Sequence, residues 1–271
     1  MDEIQFFAEN GAGEVYFGLS VLPSHIRSPE CNVSDFSVKK MTDIVSFAHS
    51  KQCGVYVAVN EINALYINEA ISIMQKLMAC GIDGFIVSSP EVIMNYPETQ
   101  HTPKWHLSSL AFCLNRYALE WYKKFGFSRF VIYQHFLPEE SIQFFKDTGM
   151  ESEVFFLSDD ICANMDGLCK GCSGNLGERQ KFCQRSFSYG QDCFKCLRFD
   201  IDTEIRTFYS YSRIADWLKL VRLTSSFSHR KKIFSIAKEL LRLADSSLDL
   251  ADFRKAGQSI FLNLRKMRNE N

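Results

Sequence analysis

Apolar runs of strand length alternate with amphipathic helical stretches through the first 157 residues, and this alternation leaves few folds open. Strand-length runs fall at 14–19, 55–59, 84–87, 105–108, 130–133 and 153–157. Between them, 37–52, 67–79, 116–125 and 138–147 repeat their apolar residues at helical spacing. In the first of these, Val38, Met41, Ile44, Val45 and Ala48 share one face, and Ser34 or Ser37 is placed to cap it. Gly54, Gly81 and Gly126 follow helical stretches and stop them. Short helices are expected at 2–10 and 90–95, and 204–209 reads as extended. A seventh strand is expected at 217–223, then two amphipathic helices at 231–244 and 250–268. Strand and helix in regular alternation, with short connections, predict an α/β fold with a parallel sheet and helices outside it. The regular count favours a TIM-like (β/α) barrel over an open doubly wound sheet. That barrel is incomplete: the chain opens with a helix where a first strand belongs. Residues 204–209 or a partner chain could cover the edge this leaves, or the chain is a shortened version of the barrel. The whole chain, 1–271, is read as one barrel-like domain, with a cysteine-rich loop at 158–200 and C-terminal helices at 229–271.

The loop follows the penultimate strand, so it hangs over the end of the barrel where strands of this fold carry their chemistry. Within it, Cys162, Cys169, Cys172, Cys183, Cys193 and Cys196 are spaced C-x6-C-x2-C-x10-C-x9-C-x2-C. Gly167, Gly171, Gly174, Gly177 and Gly190 lie among them, and too little of the stretch is apolar to form a core. Disulfides or a metal must order it. The N-terminal MDEIQFFAENG lacks an apolar signal region, and no apolar run approaches the roughly 18 residues of a membrane helix. A cytoplasmic location, with no membrane partner, is therefore expected, where thiols stay reduced; this favours metal ligation. Thiolates suit zinc and iron–sulfur clusters alike. Cys169-x2-Cys172-x20-Cys193-x2-Cys196 is close to zinc-ribbon spacing. Cys53, Cys80 and Cys113 lie at helix ends or in apolar segments and read as core thiols.

Polar residues mark the strand ends. Asn60 follows the second strand and can bind a ligand or cap the next helix. His106 can position substrate or move a proton near neutral pH, or be a hydrogen-bonded core residue. Glu153 lies in a strand and needs a cationic partner if buried; Lys219 and Arg222 are candidates. These two can also clamp an anionic ligand. The net charge of −1 gives no overall bias toward nucleic acid. Yet Lys219–Arg268 holds 12 Lys and Arg against 4 Asp and Glu, so that segment either faces a polyanion such as RNA or presents solvated helix faces.

In order and spacing, these residues resemble the collagenase-like proteins of peptidase family U32. Gly11-Ala12-Gly13-Glu14-Val15-Tyr16-Phe17-Gly18 is similar to the family's opening GADAVY-x-G strand, and Arg27 and Phe36 fall where it often has arginine and phenylalanine. Val57–Asn60, His106-Leu107-Ser108, Glu153-Val154-Phe155 and Trp217–Arg222 resemble later strands. The C-x4-G-x-C of Cys162, Gly167 and Cys169 matches the family signature. The family's opening Pro-Ala-Gly turn is absent, and Gln134-His135-Phe136-Leu137 replaces its R-E-L-S.

The resemblance implies either a peptidase or an oxygen-independent hydroxylase that carries a [4Fe-4S] cluster and acts on an RNA base or a small aromatic molecule, with prephenate as oxygen donor. For the hydroxylase it implies Cys162, Cys169 and Cys183 as ligands, completed by Cys193 or Cys196, with Cys172 and Cys31 in reserve. Zinc is the alternative metal. His106 and Glu153 are then the candidate catalytic groups, and Asn60, Lys219 and Arg222 bind substrate and donor. No G-x-S-x-G elbow or H-E-x-x-H helix supports a peptidase beyond the family name. A third possibility is a non-catalytic subunit in a heterodimer with a related family member.

Overall fold

The computed structural model describes residues 2–22, 32–33, 37–60, 62, 64–98, 101–132, 136–145, 148–156, 187–189, 192–194, 201–220 and 227–269. The chain forms two compact units. The first joins Met1–Phe155 to Ala215–Phe227 and the second joins Phe156–Ile214 to Ser228–Asn271.

The first unit opens with helix α1 (Asp2–Glu9) and strand β1 (Glu14–Leu19), then the two-residue strand β2 (Asn32–Val33). Next come α2 (Val38–Ser50), β3 (Gly54–Val59), α3 (Ile67–Ala79), β4 (Gly84–Val87) and α4 (Pro90–Asn95). Strand β5 (Lys104–Leu107), α5 (Arg116–Lys123), β6 (Phe127–Val131), α6 (Pro138–Phe145) and β7 (Glu151–Phe156) follow. After the second unit's β8 (Phe187–Tyr189), β9 (Asp192–Phe194) and α7 (Ile201–Ile214), the chain returns to add β10 (Trp217–Leu220).

The strands lie in the order β10-β7-β6-β5-β4-β3-β1-β2, and each pairing from β2 through to β7 is parallel. Seven strands form a curled half-barrel, with β2 added beside the last residues of β1. The curl follows from reach. Arg129 of β6 bonds Glu14 of β1 at 2.6 Å, four strand positions away. In a flat sheet those strands would stand about 19 Å apart at the usual spacing. Trp217, which begins β10, comes within 3.3 Å of where a Cβ on Gly13 would lie.

Local chemistry sets the helix limits. The Ser37 Oγ accepts the Lys40 N–H, and Met41, Ile44, Val45 and Ala48 of α2 are buried. The Asn115 Oδ1 accepts the Ala118 N–H and starts α5. Gly81 ends the turn after α3 at φ +91°, a conformation that favours glycine. Gly84 is required for another reason: a Cβ there would stand 2.1 Å from the Lys104 carbonyl oxygen on the neighbouring strand.

In the second unit, β8 and β9 form an antiparallel hairpin, and α7, α8 (Phe227–Asp245) and α9 (Leu250–Asn269) form a helical group. Phe208 of α7 stacks on Phe253 and meets Phe261 of α9, both at 5.9 Å. The expected extended segment at 204–209 is instead the middle of α7. Within those six residues Ile205, Thr207 and Tyr209 alternate as in a strand. Over the longer span Ile205, Phe208 and Tyr211 recur at helical spacing, and these are the buried ones. Residues 204–209 therefore add no strand beside β1. The strand that pairs there is β2. Among the described residues, no helix is long and apolar enough to cross a membrane.

Candidate functional site

Parallel register lines up the side chains inside the half-barrel. Ile86 pairs with His106, His106 with Arg129, and Arg129 with Glu151, while Val131 pairs with Glu153. His106 is buried, and its ring stacks on Tyr56 with centroids 4.3 Å apart. Tyr56, Ala58 and Ile86 form a buried cluster against which Tyr16 packs. One face of the His106 ring is thus covered by the Tyr56 ring.

Arg129 is the hub of the interior. It lies in β6 between apolar Phe127, Phe130 and Val131, and its side chain is 3% exposed. Its Nη1 and Nη2 donate to the two Glu14 carboxylate oxygens at 2.6 and 2.9 Å. Its Nε donates to Glu151 Oε2 at 2.8 Å, and Nη1 lies 3.4 Å from Glu153 Oε2. The Trp217 ring covers the guanidinium at 4.2 Å, and the Trp217 indole N–H donates to Glu151. Burial disfavours the Arg129 charge. Hydrogen bonds to Glu14 and Glu151, with the charges of Glu14 and Glu153, outweigh that and hold its pKa above the ordinary arginine value. Burial also pushes the Tyr56 hydroxyl well above the usual tyrosine range; Glu14 adds to the rise and Arg129 offsets part of it. Glu14, Glu151 and Trp217 each begin their strands, so this ion network belongs to the N-terminal end of the half-barrel.

The opposite end carries Asn60, Ser88 and Ser108, each directly after its strand. The Ser88 Oγ donates to the Asn60 carbonyl at 2.8 Å, and the Ser108 Oγ accepts the Leu110 N–H. Asn60 is buried, yet its side-chain Oδ1 has no hydrogen-bond partner among the described residues. A buried acceptor left unmade costs about 1–3 kcal/mol, so this position suits a bound donor.

Of the residues named from sequence, Glu153 and His106 both lie on the strands that flank or carry Arg129, and Asn60 stands at the C-terminal end of β3. Arg129, Glu14 and Glu151 were not singled out in the sequence. The available signal was a charged residue placed among Phe127, Phe130 and Val131 in a short strand. Lys219 lies in β10, two residues beyond Trp217. Cys193 lies in β9, paired with Ser188. Arg222, Cys31, Cys162, Cys169, Cys172, Cys183 and Cys196 lie outside the described residues. Among the described residues, no group of three or more His, Cys, Asp or Glu could hold a metal ion. Cys53 and Cys80 are buried and Cys113 is half-buried. Burial, then Glu14 and Asp83, push the Cys53 thiol up to about 11, and burial pushes Cys113 up to about 11 against a hydrogen bond from the Asn115 backbone.

A parallel half-barrel lined by an arginine–carboxylate network, with polar residues past its strand ends, defines an α/β protein of barrel type. The family model for peptidase family U32 matches residues 1–225, and the chain belongs to that family. Among solved structures it is similar to that of the U32 peptidase Mk0906, at 13% identity and a TM-score of 0.38, over 54% of this chain and 69% of that one. Comparison with curated proteins returns no match.

Proposed function

We propose that the chain is an iron–sulfur protein that supports oxygen-independent hydroxylation of an RNA base or a small aromatic molecule. The half-barrel is then an incomplete TIM-like barrel, with the substrate above the C-terminal ends of β3–β5. The observation that carries this is the thiol set Cys162–Cys196, which lies wholly inside the segment matched by the family and begins with C-x4-G-x-C. The donor chemistry fits: thiolates suit an iron–sulfur cluster. Cys162, Cys169 and Cys183, with Cys193 or Cys196, would hold it. When bound, such a cluster supplies one-electron redox chemistry at the mouth.

The protein's own residues do the rest. The orphaned Asn60 Oδ1 accepts an N–H or O–H of the substrate. Lys219 and Arg222 bind the carboxylates of the oxygen donor, such as prephenate. His106, held flat by Tyr56, is the candidate for proton transfer. Glu153 stays tied to Arg129, which suits it to hold charge beneath the site rather than to deliver a proton. Anaerobic purification tests this: a brown protein absorbing near 400 nm, with iron and sulfide lost in Cys162→Ala and Cys169→Ala, is expected. A colourless protein holding one zinc would overturn it. Hydrolysis of gelatin that stops on metal removal would favour a peptidase instead.

A further inference from the structure

Positive charge in this chain is concentrated in the part that lies beyond the family match. Helices α8 and α9 hold ten Lys and Arg against three Asp and Glu, a net of +7. The rest of the chain must therefore carry −8, since the total is −1. The family model ends at residue 225, before either helix begins.

The helices form a hairpin. Ser246–Asp249 connects them, the Asp249 Oδ1 accepts the Asp252 N–H to start α9, and a Cβ on Gly257 would stand 3.9 Å from Leu240. That contact across a short turn makes them antiparallel. One side of each is buried. On α8 this is Ile233, Phe234, Ala237, Leu240 and Ala244; on α9 it is Phe253, Phe261 and Leu264. Lys232 and Arg242 of α8, and Lys255 and Lys266 of α9, are exposed. From Lys232 to Arg242 the helix advances about 15 Å, enough to pass two or three phosphates of a nucleic-acid strand.

We infer that the α8–α9 hairpin is an RNA-backbone docking surface. A membrane is the poorer occupant, because most apolar side chains of the two helices are buried and the exposed large ones, Leu250 and Leu262, lie about 120° apart around α9, while an interfacial helix needs a continuous free apolar side to insert. Phosphodiester recognition needs only accessible cations on a fixed scaffold, which the hairpin provides. The surface does not depend on the thiol cluster. It narrows the substrate of that proposal to RNA, and iron content tests the one while RNA binding tests the other.

The experiment is fluorescence anisotropy of the full chain with a labelled single-stranded RNA of roughly 20 nucleotides, across salt. With four cations engaged, affinity should fall about 50-fold between roughly 50 and 200 mM salt. The variant with Lys232, Arg242, Lys255 and Lys266 all changed to Gln should lose most of the affinity and most of the salt slope. A control changing the exposed Lys39, Lys51, Lys76 and Lys124 to Gln should bind as the parent does. No measurable binding by the parent, an unaffected hairpin variant, or an equal loss in the control would each overturn the inference. So would preferential capture by anionic vesicles over RNA. Circular dichroism of both variants checks that the fold survives.

Discussion

Arg129→Met removes the hub of the interior and replaces it with an apolar side chain of similar length. The loss is dominated by what it strands. Glu153 is 5% exposed and Glu14 20% exposed, so both keep carboxylates inside the half-barrel without their guanidinium. Removing one partner of a buried ion pair costs about 3–5 kcal/mol, mostly through the uncompensated charge. The Trp217 contact adds up to about 2 kcal/mol where it is desolvated. Glu151 is 52% exposed and contributes little, since exposed pairs are worth roughly 0–1 kcal/mol. The expected destabilisation is therefore about 4 kcal/mol, or on the order of 10 °C in Tm. Urea unfolding followed by tryptophan fluorescence and circular dichroism measures it.

The cause can be separated from simple loss of packing. If stranded charge dominates, Glu153→Gln in the Arg129→Met background should restore part of the stability, although in the parent it should be destabilising. Arg129→Lys should fall between, because an ammonium cannot fork across both Glu14 oxygens while reaching Glu151. The sign with pH is also set. A raised folded-state pKa means that Arg129 contributes its stability at every pH below the ordinary arginine value and loses it only above that. Its contribution is thus flat across the working range. A loss below about 1 kcal/mol in Arg129→Met, or no rescue by Glu153→Gln, would refute the hub reasoning.

Three further outcomes follow from the geometry. Asn60→Leu removes an acceptor with no partner, so the fold should be unchanged or stabilised by up to about 1 kcal/mol while substrate turnover falls; a destabilised fold in chemical denaturation would argue against it. Gly84→Ala drives a methyl into the Lys104 carbonyl and should cost about 3 kcal/mol or more, read from the urea midpoint. Cys53, with its thiol raised from 9.0 to about 11, should resist iodoacetamide at pH 8 until the protein unfolds, by mass spectrometry of alkylated peptides. The same shift makes folding stability fall as pH rises from about 9 through about 11, because the unfolded thiol ionises first.

How far the sequence could be read depended on the range of the interaction behind each feature. The strands and outer helices of the first unit were legible because strands show as short apolar runs and helices as apolar residues three or four positions apart, or by a Gly stop such as Gly81, although β6 begins three residues ahead of the expected 130. Helix α7 was misread as extended where a six-residue window was too short to separate the two periods. The Arg129 network was not legible at all. Glu14 and Arg129 are 115 residues apart, and nothing local to either predicts a bidentate bond. What joins them is the curl of the sheet. The same curl changes how Glu153 is understood. From sequence it is a carboxylate in a strand of a family with catalytic chemistry. In the fold it is bound, from below, to an arginine whose other partners begin β1 and β7. The Asn60 side is the reverse case: its acceptor is buried at the ends of the strands and lacks a partner among the described residues. On the proposed function, chemistry in this half-barrel lies above the His106–Tyr56 stack, toward Asn60. The charges beneath that stack hold the strands in the curl that forms the mouth.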